Sequence, residues 1–145
     1  MKKFTFGILS YNQEKYILET LESIKYQKIQ YGEAIAVSLI ITDDASKDGT
    51  VQVIKKWIEK NGSYFAETEL IANEKNRGTV ANFCTILSKV NPEEGLKVIA
   101  GDDLIAHKNL FAYTSLHTHI SLSNFLLTHS QHYHIMQQIY HLFYP

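Results

Sequence analysis

Cysteine occurs once in these 145 residues, at Cys84, so no internal disulfide can staple the chain, and a reducing compartment suits it. Proline occurs twice, and no Pro-rich or Gly/Ser-rich linker divides the sequence. No apolar run approaches the roughly 20 residues that span a bilayer. The N-terminal MKKFTFGILSYNQEKY has a short apolar segment, but Asn12, Gln13 and Glu14 arrive too early for a signal peptide. An excess of positive charge is lacking too: 14 Lys and Arg stand against 15 Asp and Glu, which argues against electrostatic binding of nucleic acid. Neither of the two common glycine-rich phosphate loops occurs. These absences predict a soluble, cytoplasmic protein.

One absence is local. From Asn109 to Pro145 there is no Asp, Glu, Lys or Arg, and six of the seven histidines lie there. Globular surfaces carry both signs of charge. Lys108/Asn109 is therefore a compositional boundary, between residues 1–108 and an uncharged, His-rich tail, 109–145.

What is present before that boundary is ordered. FTFGIL (4–9) and IAVSLIIT (35–42) read as strands, the second apolar enough to be covered on both faces. TELIA (68–72) and LKVIA (96–100) read as two more. Helices are predicted between them over 13–27, from Thr50 as N-cap to Asn61-Gly62, and from Thr79 as N-cap through Val90. Strands alternating with helices imply a parallel sheet with right-handed crossovers.

A polar cluster follows each predicted strand: Ser10-Tyr11-Asn12, DDASKDGT (43–50), NEKNRG (73–78) and Gly101-Asp102-Asp103. Ligands of open α/β sheets bind beyond the carboxyl ends of the strands. Taken singly, the clusters also suit turns and caps. Together they line one rim. Adjacent carboxylates repel unless a cation or donors compensate them, and Mg²⁺ or Mn²⁺ suits one or two carboxylates plus substrate phosphates. A ring face on Tyr11 and a second carboxylate site at Asp43/Asp44 complete a plausible nucleoside-diphosphate site.

FTFGILSYNQEKYILETLESI, LIITDDASKDGT, NRGTVANF and IAGDDLI, in this order over about residues 4–106, resemble the family 2 glycosyltransferases. These are inverting nucleotide-sugar enzymes. The resemblance implies an α/β, Rossmann-like GT-A fold with a mostly parallel sheet, incomplete at the C-terminus. It implies sugar transfer from a UDP-, dTDP- or GDP-sugar to a hydroxyl of a saccharide or lipid-linked acceptor. Cell-surface polysaccharide biosynthesis at the inner face of the membrane follows as the setting, with peripheral membrane association through the acceptor.

By the same resemblance, Tyr11 packs on the base, with Asn12 in the same donor site. Asp44 contacts the base and Asp43 supports it. Asn76 and Gly78 border the nucleotide pocket, Asp102 lies near ribose and metal, and Asp103 holds Mg²⁺ or Mn²⁺ against the diphosphate. Gly101 stands where many members have a first acidic residue, leaving coordination to fewer carboxylates. NRGTVANF resembles the N-x-G-x-x-x-N-F variant, so Arg77 is not assigned a phosphate contact.

The family's catalytic base is an Asp or Glu well beyond the second acidic motif, and no carboxylate follows Asp103. The tail is read as the product of a truncation or frame shift near residue 107. His117/His119 and His132/His134, as i, i+2 pairs, offer transition-metal binding as another reading, and a histidine in place of the base a third. Two further possibilities stay open for the whole chain: a non-catalytic remnant that at most binds nucleotide and metal, and a phospho-acceptor receiver domain.

Overall fold

The fold is that of a computed structural model, which describes residues 2–91 and 94–112. Strands and helices alternate as β1 (Lys2–Ser10), α1 (Ile17–Tyr31), β2 (Ile35–Asp43), α2 (Thr50–Asn61), β3 (Glu67–Ala72), α3 (Thr79–Leu87) and β4 (Gly95–Ala100). All three strand pairings are parallel, in the order β3-β2-β1-β4. The chain steps outward from β1 to β3, then crosses back to place β4 on the other side of β1. The order therefore reverses between β1 and β4, the switch point at which doubly wound sheets form a ligand crevice.

Both faces of the sheet are covered, as the apolar run in β2 predicts. Phe4, Phe6 and Ile8 of β1, with Val37, Leu39 and Ile41 of β2, pack against Ile17, Leu21 and Ile24 of α1 and Ile54 and Trp57 of α2. The opposite face carries Ile40, Leu96 and Val98 against Ile86 and Leu87 of α3. Each such side chain, fully buried, contributes about 1.5–3 kcal/mol. Gly7 lets α3 approach: a Cβ there would stand 2.8 Å from Ile86 Cγ2.

The elements differ from the sequence expectations at their ends. α1 starts at Ile17 because the Gln13 carbonyl takes the Tyr16 and Ile17 N–H groups in a turn, both at 2.9 Å. It runs on to Tyr31, where Gly32 stops it and Lys28 Nζ donates to the Gly32 and Ile35 carbonyls. Thr50 and Thr79 were expected as N-caps, and both are the first helical residue instead, behind Gly49 and Gly78. The Thr50 hydroxyl is occupied elsewhere, donating to Asp48 and accepting the Gln13 N–H. α3 ends at Leu87, short of Val90, with Lys89 and Val90 in tighter turns.

Beyond β4 the chain lies along α1, held by one polar stripe of that helix. Thr20 Oγ1 donates to the Gly101 carbonyl at 2.8 Å, and Ser23 Oγ accepts the Ile105 N–H at 3.2 Å. Gln27, fully buried, donates to the Ala106 and Lys108 carbonyls and accepts the Leu110 N–H. Tyr31 donates to the His107 carbonyl at 2.8 Å. Packing carries across the compositional boundary: Phe111 is buried edge-on against Phe4 and Phe6, with ring centroids 5.2 and 6.1 Å away. The tail readings, including the two histidine pairs, the replacement base and the truncation or frame shift, concern sequence that falls, from residue 113 on, outside the described residues.

Candidate functional site

Parallel register brings the four polar clusters to one rim. Ser10 is level with Asp43, Asp43 with Ala72, and Leu9 with Ala100. Backbone bonds extend the alignment past the strand ends, from Asp44 N to the Ser10 carbonyl, Asn73 N to Asp43 and Gly101 N to Leu9, each 2.9 Å.

The β1–α1 and β2–α2 loops are cross-braced. Asn12 N–H donates to Ser46 Oγ and Asn12 Oδ1 accepts the Lys47 N–H, both at 2.8 Å. Gln13 N–H donates to Thr50 Oγ1, Glu14 N–H to Asp48 Oδ2, and Gly49 N–H to Glu14 Oε2. Asn12 and Ala45 hold positive φ, 53° and 65°, so each loop turns sharply at its start. Most of the DDASKDGT motif thus builds the rim. Asp43 is wholly buried and accepts the Ser46 N–H and hydroxyl, the latter at 2.5 Å. Ser46 in turn receives Asn12.

Asp44 is a clamp on the next loop. Its Oδ1 accepts the Arg77 N–H at 2.7 Å and its Oδ2 the Gly78 N–H at 2.9 Å. Burial alone would raise its pKa, but these donors and the Asn82 and Asn73 amides together hold it below the ordinary carboxylate value. Asn82 Nδ2 also donates to the Gly78 carbonyl, and Asn73 Nδ2 to Asn82 Oδ1. Asn76 Oδ1 is exposed and sits 3.2 Å from the Gly78 N–H. Asp48 behaves likewise at α2: burial would raise its pKa, and bonds from the Thr50 hydroxyl and N–H and the Glu14 N–H lower it. Asp48 thus occupies the N-terminal end of α2, which would otherwise attract an anion, while Asp44 holds the turn that leads into α3.

At the switch point the rim opens. Tyr11 is 47% exposed, enough for a planar ligand to lie on its ring. Asp102 and Asp103 are both exposed. Asp102 Oδ1 accepts from Gln13 Nε2 at 3.0 Å, and Asp103 Oδ2 accepts the Ala100 N–H at 3.1 Å. Each carboxylate so has one oxygen held in place and a second available. Among the described residues no group of three or more His, Cys, Asp or Glu could hold a metal ion unaided. Two half-engaged carboxylates suit a divalent cation that takes its other ligands from water and phosphate. Burial pushes the Cys84 thiol up, so it is no ready nucleophile.

All eight residues expected at the site lie on this rim, in two groups. Tyr11, Asp102 and Asp103 present exposed chemistry at the switch point. Asn12, Asp43, Asp44, Asn76 and Gly78 are engaged in holding the loops. Gln13, Glu14 and Asp48 were not singled out, although the spacing of DDASKDGT behind SYNQE carried the signal that the two loops belong together.

The family described as glycosyl transferase family 2 matches residues 5–113. An uncharacterized protein of Mycobacterium tuberculosis is 36% identical over 95 residues, 66% of this chain and 25% of that protein. The poly(ribitol-phosphate) beta-N-acetylglucosaminyltransferase TarS of Staphylococcus aureus is 37% identical over 60 residues, 41% of this chain and 10% of that protein. A crystal structure of TarS residues 1–349 with UDP-GlcNAc superposes with a TM-score of 0.64 at 24% identity, covering 79% of this chain and 30% of that one. A mannosyltransferase from Pyrobaculum calidifontis, in complex with GDP-Man and Mn²⁺, gives 0.65 at 22% identity, covering 79% and 32%. This chain spans about a quarter of the length of the mycobacterial relative it matches.

Proposed function

The chain belongs to glycosyl transferase family 2, and we propose that residues 1–108 bind a nucleoside-diphosphate sugar, UDP-, dTDP- or GDP-linked, for transfer to an acceptor hydroxyl with inversion. The observation that carries this reading is the pairing of Tyr11 with Asp102 and Asp103 across the β1/β4 switch point, on a rim braced by the other loops. The base stacks on Tyr11, and the ribose and diphosphate extend toward Asp102 and Asp103. Asp44 acts on the base's surroundings through the Arg77–Gly78 turn that it clamps. The nucleotide sugars in the neighbouring structures, UDP-GlcNAc and GDP-Man, support a donor of this class.

Asp103 and Asp102 would hold Mg²⁺ or Mn²⁺, and the bound cation would supply charge neutralisation of the leaving diphosphate. Inversion requires the acceptor oxygen to attack the anomeric carbon from the face opposite the departing nucleotide, while a base takes the hydroxyl proton. That base belongs beyond Asp103, on the acceptor side. We place the reaction in cell-surface polysaccharide biosynthesis, on a saccharide or lipid-linked acceptor, with the protein in the cytoplasm at the inner membrane face. Among the described residues no helix is long and apolar enough to cross a membrane.

A second reading rests on residues 104–145, which contain no Asp or Glu. In it, the chain binds nucleotide and metal without transfer. Calorimetry with UDP, dTDP and GDP plus Mn²⁺ tests the donor site, and failure of all three to bind overturns it. Release of sugar from UDP-GlcNAc or GDP-Man by the 145-residue chain decides against the second reading.

A further inference from the structure

We propose that Gln13 is a positioning residue for donor binding, its amide seated in the space left by the side chain that Gly101 lacks and aiming the Asp102 carboxylate at the ligand. The inference rests on the donor-site reading above and adds a residue to it.

The backbone of Gln13 is fixed at both ends. Its N–H donates to Thr50 Oγ1 at 2.8 Å, and its carbonyl accepts the first turn of α1 at Tyr16 and Ile17. From that anchored position the side chain crosses from the β1–α1 loop to the end of β4, where Nε2 donates to Asp102 Oδ1 at 3.0 Å. Gln13 Oε1 ends in a buried place with no hydrogen-bond partner among the described residues. A buried acceptor without a donor is unfavourable. Leu or Met would fill the same volume without that cost, so packing alone does not call for an amide. Turning the amide over would aim its oxygen at the Asp102 carboxylate, which is worse. The group is explained by what Nε2 does.

Gly101 is the steric complement. A Cβ at residue 101 would fall 2.0 Å from Gln13 Oε1 and 2.9 Å from Ile17 Cδ1. Any side chain at 101, including an acidic one, would evict the amide from its seat. Glutamine at 13 and glycine at 101 thus form a matched pair across the switch point. The pair fixes one oxygen of Asp102 and leaves the other to the ligand.

The test is Mn²⁺-dependent binding of UDP and GDP by the full chain, measured by calorimetry, with manganese occupancy followed by electron paramagnetic resonance. Gln13→Ala and Gly101→Ala are each expected to raise the Mn²⁺ concentration at half-saturation about tenfold, the usual effect of removing a partner that orients a metal-binding carboxylate. The double variant is expected to lose no more than either single one, because both remove the same contact. Wild-type Mn²⁺ dependence in either single variant, or additive losses in the double, overturns the proposal. Should Gln13→Ala fail to fold, judged by circular dichroism, Gly101→Ala alone decides by the same criterion. Wild-type chain that binds neither UDP nor GDP with Mn²⁺ overturns the donor-site reading itself, a result distinct from normal binding that the variants leave unchanged.

Discussion

Asp44 Oδ2 accepts the N–H of Gly78 at 2.9 Å, and Gly78 holds φ 82° and ψ 161° with nothing within 4 Å of where its Cβ would stand. There is room for a side chain, but the backbone lies in a region that is essentially glycine-only. Gly78→Ala should therefore lose about 1–3 kcal/mol through conformation alone. Urea unfolding checks this, and an unchanged midpoint would mean that the turn relaxes freely.

Asp44→Asn keeps the shape and replaces one acceptor with a donor facing the Arg77 or Gly78 N–H. A loss toward the lower end of about 1–3 kcal/mol is expected from the orphaned, part-buried donor. The pH dependence follows from the lowered pKa of Asp44. The stability it provides is fully present above the unfolded carboxylate pKa of about 3.9 and is lost as pH falls through the lower folded value. Acid titration of wild-type and Asp44→Asn protein should show the wild-type advantage disappearing below about pH 4.

Asp103→Ala should abolish Mn²⁺-dependent nucleotide binding while changing stability little, about 0.5 kcal/mol, since Asp103 is exposed. Chelation with EDTA should do the same to wild-type protein. Calorimetry and a thermal melt on one preparation separate the two effects.

Gln27→Leu would orphan the Ala106 and Lys108 carbonyls and the Leu110 N–H. With about 1–3 kcal/mol for each group left unpaired, a total near ~3 kcal/mol is expected after partial rehydration. Hydrogen exchange at the Leu110 amide should accelerate in step, and protection at wild-type level would show that Gln27 is not what holds this amide.

Element order and the position of the rim were legible because they rest on strong periodicities. The apolar run of β2 needs cover on both faces, and each polar cluster follows a strand. Helix starts were less legible, since Thr50 and Thr79 look like caps in isolation. Only the fold shows that Asp48 and Gln13 claim the Thr50 hydroxyl. The roles within DDASKDGT were hidden for the same reason, because Ser46 and Asp48 each meet a partner 34 residues away. Gly101 was visible as a departure from the family pattern. The Gln13 amide that fills the space beside it could not be seen without coordinates.

The bracing between the SYNQE and DDASKDGT loops makes the pair one mechanical unit. Asn12 and Lys47, Gln13 and Thr50, Glu14 and Gly49 are each half of a bond whose other half lies in the second loop. A chimera whose imported loop lacks the Asn12, Glu14 or Thr50 side chain leaves the facing backbone N–H without its acceptor, whereas importing both loops carries the joint intact. Exchange of these loops between relatives therefore has to be attempted two at a time.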